Sequence, residues 1–271
     1  MELSQAKEEF ARQGLNAAAV SYDAAEILAK FAKTRSITIP LLSDPKCGMI
    51  QSFNAYMPLG GYAYPGYYII NADGFVTYSL FFEDDNEVGA RSTPLTVLGR
   101  IFPSTLNRAV RTIGGQRLKL ELSQSDKEAR WRNRITLRVG IELPAGFHAY
   151  APEVTGGYRP LKLEIASTDR YWSLPPVVYP KARVLDLPKL GEKLPVYEGK
   201  LQLTTEIAVK WEEFERVKKE GRPHELEVRG VLHYQICDSS VCFAPTNTPV
   251  SWKVRVMPYD DEAVSERRAS Q

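Results

Sequence analysis

Period-two alternation dominates the second half of the chain. Leu226, Val228, Gly230, Leu232 and Tyr234 alternate with polar or opposite-facing residues, and Val250, Trp252, Val254 and Val256 do the same. That is the spacing of half-buried strands. Strand patterns of this kind predominate from Arg117 onward, with one interruption at residues 211–219, where Trp211, Phe214 and Val217 predict an amphipathic helix and the charge run reads as its solvated face. The first part of the chain reads differently. Between Leu15 and Phe82 the order is strand, helix, strand, helix, strand, strand, with an apolar run over residues 16–23 and helical spacing of Ile27, Leu28 and Phe31 over residues 24–32. Apolar strands alternating with helices predict an α/β sheet layered by helices. Asn71-Ala72-Asp73-Gly74 between Tyr67-Tyr68-Ile69-Ile70 and Phe75-Val76-Thr77-Tyr78 predicts a hairpin. Residues 1–14 form a helical pattern ended by Gly14. Residues 87–101 predict a closing helix, weakened by Gly89, Pro94 and Gly99.

This change of pattern places two domains in the chain, and 271 residues at 44% apolar content suffice to bury two cores. The expected division is a first domain at residues 1–102, a linker or short helix at 103–115, a strand-built domain at 116–258, and a disordered tail at 259–271. The formal charge of +2 comes from acids and bases spread through both parts, so no field points to nucleic acid. No run is long and apolar enough to span a bilayer as a helix. Met1 leads into a charged amphipathic helix without the apolar core of a signal peptide. From the residues alone the compartment defaults to the cytoplasm.

The chemistry concentrates in Tyr234-Gln235-Ile236-Cys237-Asp238-Ser239-Ser240-Val241-Cys242-Phe243-Ala244-Pro245, which holds two of the three cysteines. Asp238, Ser239 and Ser240 are turn formers, so the pair reads as a dithiol under a short polar loop between strands. Thiol exchange needs a sulfur that a partner can reach, which an exposed loop supplies. Three other readings stand beside exchange: a structural disulfide, a zinc site with His233, and two inert buried thiols. The zinc reading lacks the usual paired-knuckle spacing. Cys47 sits at a helix start after Asp44-Pro45-Lys46, where its thiolate would be favoured, but an isolated thiol commonly serves as a small apolar residue. His148, His224 and His233 fall in separate strand or loop contexts and read as hydrogen-bonded side chains. No metal site or cofactor is expected.

The cysteine stretch resembles the end of the periplasmic N-terminal domain of the DsbD thiol-disulfide interchange family. Leu137 to Tyr150 resembles that family's early strand and its turn into an aromatic strand, and Tyr197 to Leu203 a later one. The resemblance covers about residues 116 to 257. It implies an immunoglobulin-like sandwich passing electrons between a membrane-embedded thiol reductase and soluble thioredoxin-like proteins, in the periplasm. Carried over, Cys242 would form mixed disulfides with partners and Cys237 would resolve them, with Tyr150 the aromatic near the pair and Tyr234 and Gln235 leading into it. The loop between the cysteines is shorter than in well-known members. Those members also shield the pair with an aromatic cap loop, whereas residues 185–193 here contain no aromatic, and Leu190 is the best substitute.

The first part resembles the peroxiredoxin branch of the thioredoxin fold, the alkyl hydroperoxide reductase and thiol-specific antioxidant group. The residues that carry this are Val20-Ser21-Tyr22-Asp23, Ile39-Pro40-Leu41-Leu42-Ser43-Asp44-Pro45, and Tyr64 to Gly74, over about residues 2 to 82. Pro65 falls at that family's cis-proline. Residues 1–14 match the remainder of the helix that carries the family's reactive cysteine, so that cysteine and the strand before it are expected upstream of Met1. A degenerate domain kept for docking is the alternative. The whole chain is thus expected to be an incomplete α/β thioredoxin-like domain followed by an all-β immunoglobulin-like sandwich. Three functions compete: thiol-disulfide exchange by Cys237 and Cys242, peroxide reduction by an upstream cysteine, and a non-catalytic interaction module with a structural disulfide. Fusion of two redox domains would also let Cys242 recharge a cysteine of the first, at the millimolar effective concentration of a short linker.

Overall fold

Short strands and helices alternate through the first part of the chain, and long strands follow, in the computed structural model of the protein. The structure describes residues 2–57, 62–81, 91–102, 111–115, 118–187 and 191–258. Contacts divide the chain into two units, Met1–Phe102 and Pro103–Gln271.

The first unit comprises α1 (Glu2–Gln5), α2 (Lys7–Arg12), β1 (Ala19–Ser21), α3 (Ala25–Thr34), β2 (Leu41–Ser43), α4 (Gly48–Ser52), β3 (Tyr56–Met57), β4 (Tyr62–Ala63), β5 (Gly66–Ile70), β6 (Val76–Phe81), β7 (Arg91–Ser92) and α5 (Pro94–Ile101). β1 and β2 pair in parallel across α3. Gly14 ends the first helical stretch in the left-handed region at φ 74°, and Leu15 N–H donates to the Phe10 carbonyl at 3.0 Å, a C-terminal closure that glycine makes without strain. The expected hairpin is β5–β6, with Phe75 N–H donating to Asn71 Oδ1 at 2.8 Å.

Two expectations need correction here. β1 to β6 pair as three two-stranded ladders among the described residues, β1–β2, β3–β4 and β5–β6, and not as one layered sheet. A two-stranded ladder is too narrow to cover the whole apolar stripe of α3: Leu28 is buried, but Ile27 and Phe31 are exposed. Of the closing helix expected over residues 87–101, residues 87–90 lie outside the described residues, Arg91–Ser92 is a strand, and the helix runs over Pro94–Ile101. Thr93 caps it by accepting from Thr96 N–H at 3.0 Å, and proline suits the first turn because its missing donor is not needed there.

The second unit comprises β8 (Arg111–Gly115), β9 (Leu118–Gln124), β10 (Glu128–Ala129), β11 (Asn133–Glu142), β12 (His148–Tyr150), β13 (Lys162–Ile165), β14 (Tyr171–Val178), β15 (Arg183–Leu187), β16 (Glu192–Glu198), β17 (Lys200–Val209), α6 (Trp211–Glu220), β18 (His224–Tyr234), β19 (Ile236–Cys237) and β20 (Thr246–Val256). One sheet runs in the order β14-β17-β11-β9-β8, a second β10-β20-β18-β13, and a third β15-β16-β12-β19. Residues 111–115, expected in a linker, are a strand: β8 pairs with β9 from Arg111↔Leu122 to Gly115↔Leu118. The expected tail at 259–271 lies outside the described residues.

The alternation read from the sequence supplies the core. Leu120, Leu122, Leu137, Val139, Leu203 and Ile207 of the first sheet meet Leu226, Val228, Leu232, Trp252 and Val254 of the second in one buried cluster. Each fully buried aliphatic side chain of this kind contributes about 1.5–3 kcal/mol. Polar groups stitch the layers as well, since Trp252 Nε1–H donates to the Ser123 carbonyl at 3.0 Å and Gln124 Nε2 donates to the Lys253 carbonyl at 2.8 Å. Gly230 is required where β18 meets β13. A Cβ there would stand 2.7 Å from the Glu164 carbonyl oxygen and 2.9 Å from Ile165 Cγ1.

α6 corrects the reading of its charge run. Glu213 is fully buried beside Phe214 and Val217, because it follows them onto the inward face. Arg170 makes this tolerable, donating from Nε at 2.8 Å and from Nη2 at 2.6 Å to the two carboxylate oxygens. Arg216 at 3.3 Å and His224 Nδ1 at 3.3 Å complete the cluster. Burial pushes the Glu213 carboxyl up, but the hydrogen bonds and charges of Arg170 and His224 outweigh it and hold the group below the ordinary range. A carboxyl held low adds stability above its unfolded value and loses that contribution as pH falls through the folded value.

Two outcomes are expected. Gly230→Ala should cost about 1–3 kcal/mol in urea unfolding by forcing β13 away from β18. Arg170→Ala should cost roughly 3 kcal/mol at neutral pH by leaving a buried carboxylate partly uncompensated. The wild-type urea midpoint should fall as pH drops below the ordinary glutamate value of 4.5, and the variant should show less of this fall.

Candidate functional site

β18 ends its eleven-residue pairing with β20 at Tyr234↔Thr246. The chain then steps across to a different sheet: Gln235 intervenes, and Ile236–Cys237 becomes β19, the edge strand beside β12. The step is held on both sides. Gln235 Nε2 donates to the Phe243 carbonyl at 2.9 Å, and Phe243 N–H donates to the Ile236 carbonyl at 2.9 Å. Phe243 also stacks on Phe147 at 5.9 Å between ring centroids.

The loop beyond is an Asp-centred turn. Asp238 Oδ1 accepts from Ser240 N–H at 2.7 Å and Val241 N–H at 2.8 Å, while Asp238 N–H donates to the Val241 carbonyl at 3.0 Å. These bonds bring Cys237 and Cys242 opposite each other, with Cα atoms 4.0 Å apart and the sulfurs joined as a disulfide. The two sulfurs differ in access. Cys237 is 1% exposed, whereas Cys242 is exposed.

β12 supplies the surroundings of the pair. Ala149 points into the main core. By the period of two, His148 and Tyr150 share the opposite face, where Tyr150, Leu194, Val196 and Cys237 form a separate buried cluster. The Tyr150 hydroxyl lies 3.5 Å from Cys242 Sγ; since a disulfide sulfur carries no hydrogen, the hydroxyl is the donor. Burial, and then the charge of Glu192, push the Tyr150 phenol above its ordinary value, so it stays protonated. Tyr158 packs on Tyr150 with centroids 4.6 Å apart and hydrogen-bonds to Glu192. That bond, with burial, lifts the Tyr158 phenol to about 12. An open cleft of about 580 Å³ adjoins Tyr158, lined also by Thr155, Gly156, Gly157 and residues 192–194.

His148 pairs with Cys237 on one side and Glu198 on the other. It is 7% exposed, and its Nε2 is buried with no hydrogen-bond partner among the described residues. Burial pulls its pKa below the ordinary value, opposed by Glu198, assisted by Arg183 and opposed again by Asp238. The ring is therefore neutral at neutral pH.

Of the residues singled out in the sequence, Cys237, Cys242, Tyr150 and Gln235 come together. Tyr234 faces the other way, into the main core, with its hydroxyl 3.3 Å from Thr248 Oγ1. Leu190 lies outside the described residues. The aromatic residue found beside the cluster of Tyr150 and Cys237 is Tyr158, which packs on Tyr150. His233 is engaged by Asn247 at 2.8 Å and Glu164 at 3.1 Å, and among the described residues no group of three His, Cys, Asp or Glu side chains could hold a metal ion. In the first unit, Cys47 is buried against Ile50 and Ala55 at the start of the short α4, and Pro65 is exposed immediately before β5. The sequence reading takes His148 for a hydrogen-bonded side chain, whereas its Nε2 has no hydrogen-bond partner among the described residues; Tyr158 is not singled out. His148 was findable, because it stands two residues from Tyr150 in a strand and so shares its face; Tyr158 carried no such signal.

Comparison with known proteins adds the following. Residues 121–252 match the family model for the thiol:disulfide interchange protein DsbD, N-terminal, and residues 1–79 match that of the AhpC/TSA family. None of the curated proteins matches the chain. Among solved structures, the N-terminal domain of DsbD from Neisseria meningitidis in the reduced form aligns at 17% identity and a TM-score of 0.29, over 43% of this chain and 74% of that one. The N-terminal periplasmic domain of ScsB from Proteus mirabilis aligns at 11% identity and a TM-score of 0.34, over 61% of this chain and 58% of that one. No helix among the described residues is long and apolar enough to cross a membrane. By its two family matches, the chain is similar to AhpC/TSA proteins over its first part and to the N-terminal domain of DsbD over its second.

Proposed function

We propose that the second unit is a thiol-disulfide oxidoreductase domain that exchanges disulfides with thioredoxin-like proteins through Cys237 and Cys242. The observation that carries this reading is the inequality of the two sulfurs: Cys242 is exposed and contacted by the Tyr150 hydroxyl, while Cys237 is 1% exposed. An incoming thiolate then has one sulfur to attack. The partner's thiolate adds to Cys242 Sγ, the bond between Cys242 and Cys237 breaks, and Cys237 leaves with the electron pair. A second thiolate of the partner attacks its own sulfur in the mixed disulfide and releases Cys242 as a thiolate. The pair ends reduced and the partner oxidised, and the reverse sequence delivers the electrons onward.

The match to the DsbD N-terminal family model supports this reading, as does the AhpC/TSA match of the first part, since both families handle thiols. With it we propose an immunoglobulin-like sandwich over residues 116–258, an incomplete thioredoxin-like domain over residues 1–102, and a periplasmic setting in which a membrane-embedded thiol reductase is the second partner.

In a Cys47→Ser background, equilibration in glutathione buffers should return a potential between about −120 and −270 mV, the span of exchange proteins. A value below about −300 mV would move the disulfide to the role of a staple. Cys237→Ser should accumulate mixed disulfides at Cys242 when offered an oxidised thioredoxin-like protein, and Cys242→Ser should not; trapping on either cysteine equally would refute the assignment of roles. Asp238→Ala removes two hydrogen bonds that hold the loop in its closed form. It should make the disulfide easier to reduce by about 20–30 mV, the equivalent of roughly one hydrogen bond's net contribution, as read in the same buffers.

A further inference from the structure

We infer that His148 is the general base of the pair: it takes the proton of the Cys237 thiol when the disulfide closes and returns it when the disulfide opens. The inference rests on the exchange reading above and adds to it the proton that exchange must move.

The burial that makes Cys237 a protected sulfur also creates a difficulty. A thiolate at a site 1% exposed to water is disfavoured by desolvation, so reduced Cys237 is held as the neutral thiol. Only the thiolate is a nucleophile. Closing the pair therefore needs a proton acceptor inside the site. His148 is directly opposite Cys237 in the β12–β19 register, and side chains at directly opposed positions of antiparallel strands point to the same face, with Cβ atoms about 4.5–5.5 Å apart. That face is the one on which Tyr150, two residues along, reaches Cys242.

The acceptor is also unoccupied by other bonds. His148 Nε2 is buried and has no hydrogen-bond partner among the described residues. The charged and titratable groups around the ring are Glu198 directly across on β16, Arg183 on β15, Asp238 after β19 and Tyr150 on its own strand, whose ring stands 5.4 Å away and nearly perpendicular. None of them takes Nε2 as a partner. The ring is neutral and carries a free lone pair at Nε2 in the tautomer protonated at Nδ1.

The step balances as follows. In the mixed disulfide, Cys237 Sγ–H gives its proton to His148 Nε2. The thiolate so formed attacks Cys242 Sγ, the disulfide between Cys242 and the partner breaks, and the partner's sulfur leaves with the electron pair. The imidazolium then yields its proton to that thiolate or to solvent. Opening runs the same path backwards, with imidazolium protonating Cys237 as it leaves.

The test uses the full chain with Cys47→Ser, reduced and then mixed with glutathione disulfide, and follows the release of glutathione from the Cys242 adduct across about pH 6 to 9. In the wild-type background the rate should level off above about pH 6.5, where the base is already neutral. In His148→Gln and His148→Asn, closure should be about a hundredfold slower at neutral pH and should rise about tenfold per pH unit, following direct ionisation of the thiol. Urea midpoints of the variants separate this from a packing role, because lost packing lowers the midpoint without steepening the pH profile. Variants that close at the wild-type rate with the wild-type pH profile overturn the inference alone. A wild-type pair that never closes with glutathione at any pH overturns the exchange reading and this inference together.

Discussion

β12 is hydrogen-bonded along both edges, to β16 and to β19, and this double pairing fixes three consecutive residues to two faces. Ala149 enters the main core. His148 and Tyr150 are turned the other way, and the Tyr150 hydroxyl reaches Cys242. Because the pairing also determines where β19 ends, it sets the depth at which Cys237 is buried and therefore which sulfur remains outside. A slip of one residue in β12 would put Ala149 against the cysteines and a histidine and a tyrosine into the aliphatic core, which the core could not satisfy.

The long strands were legible in the sequence because burial there is one-sided. Leu226, Val228, Leu232 and Tyr234 alternate without a break, and β18 and β20 follow them closely. The hairpin at Asn71–Gly74 and the helix closure at Gly14 were legible for a different reason, since both depend on local backbone chemistry. Sheet membership was not. Nothing in Tyr234-Gln235-Ile236-Cys237 announces that the chain changes sheets at Gln235, because the exchange is decided by which distant edge is free to pair. Glu213 was misread for the same kind of reason: its partner Arg170 is far away in sequence, and an isolated helical pattern cannot reveal it.

The site was half legible. The cysteines announce themselves by spacing and by the turn residues between them, and Tyr150 follows from the family resemblance. Tyr158 is brought onto Tyr150 by a loop with no periodicity. Within that loop Ala151 N–H donates to the Pro195 carbonyl at 2.9 Å and Leu161 N–H to the Tyr150 carbonyl at 2.8 Å, long-range bonds that local pattern does not encode. His148 and Tyr150 share one face of β12, the Tyr150 hydroxyl 3.5 Å from Cys242 Sγ and the imidazole opposite Cys237 in the strand register.

The cross-link joins positions that are only five apart in sequence, and backbone bonds at Asp238–Val241 and Ile236–Phe243 already hold the residues on either side of it. In the chain-entropy view so short a ring restrains the unfolded ensemble less than a long one does. The fold rests on the ladders and the common core, far more than on this covalent bond. Oxidation state and folded state are thereby largely uncoupled: the ladders and the core that hold the scaffold do not depend on whether the two sulfurs are joined.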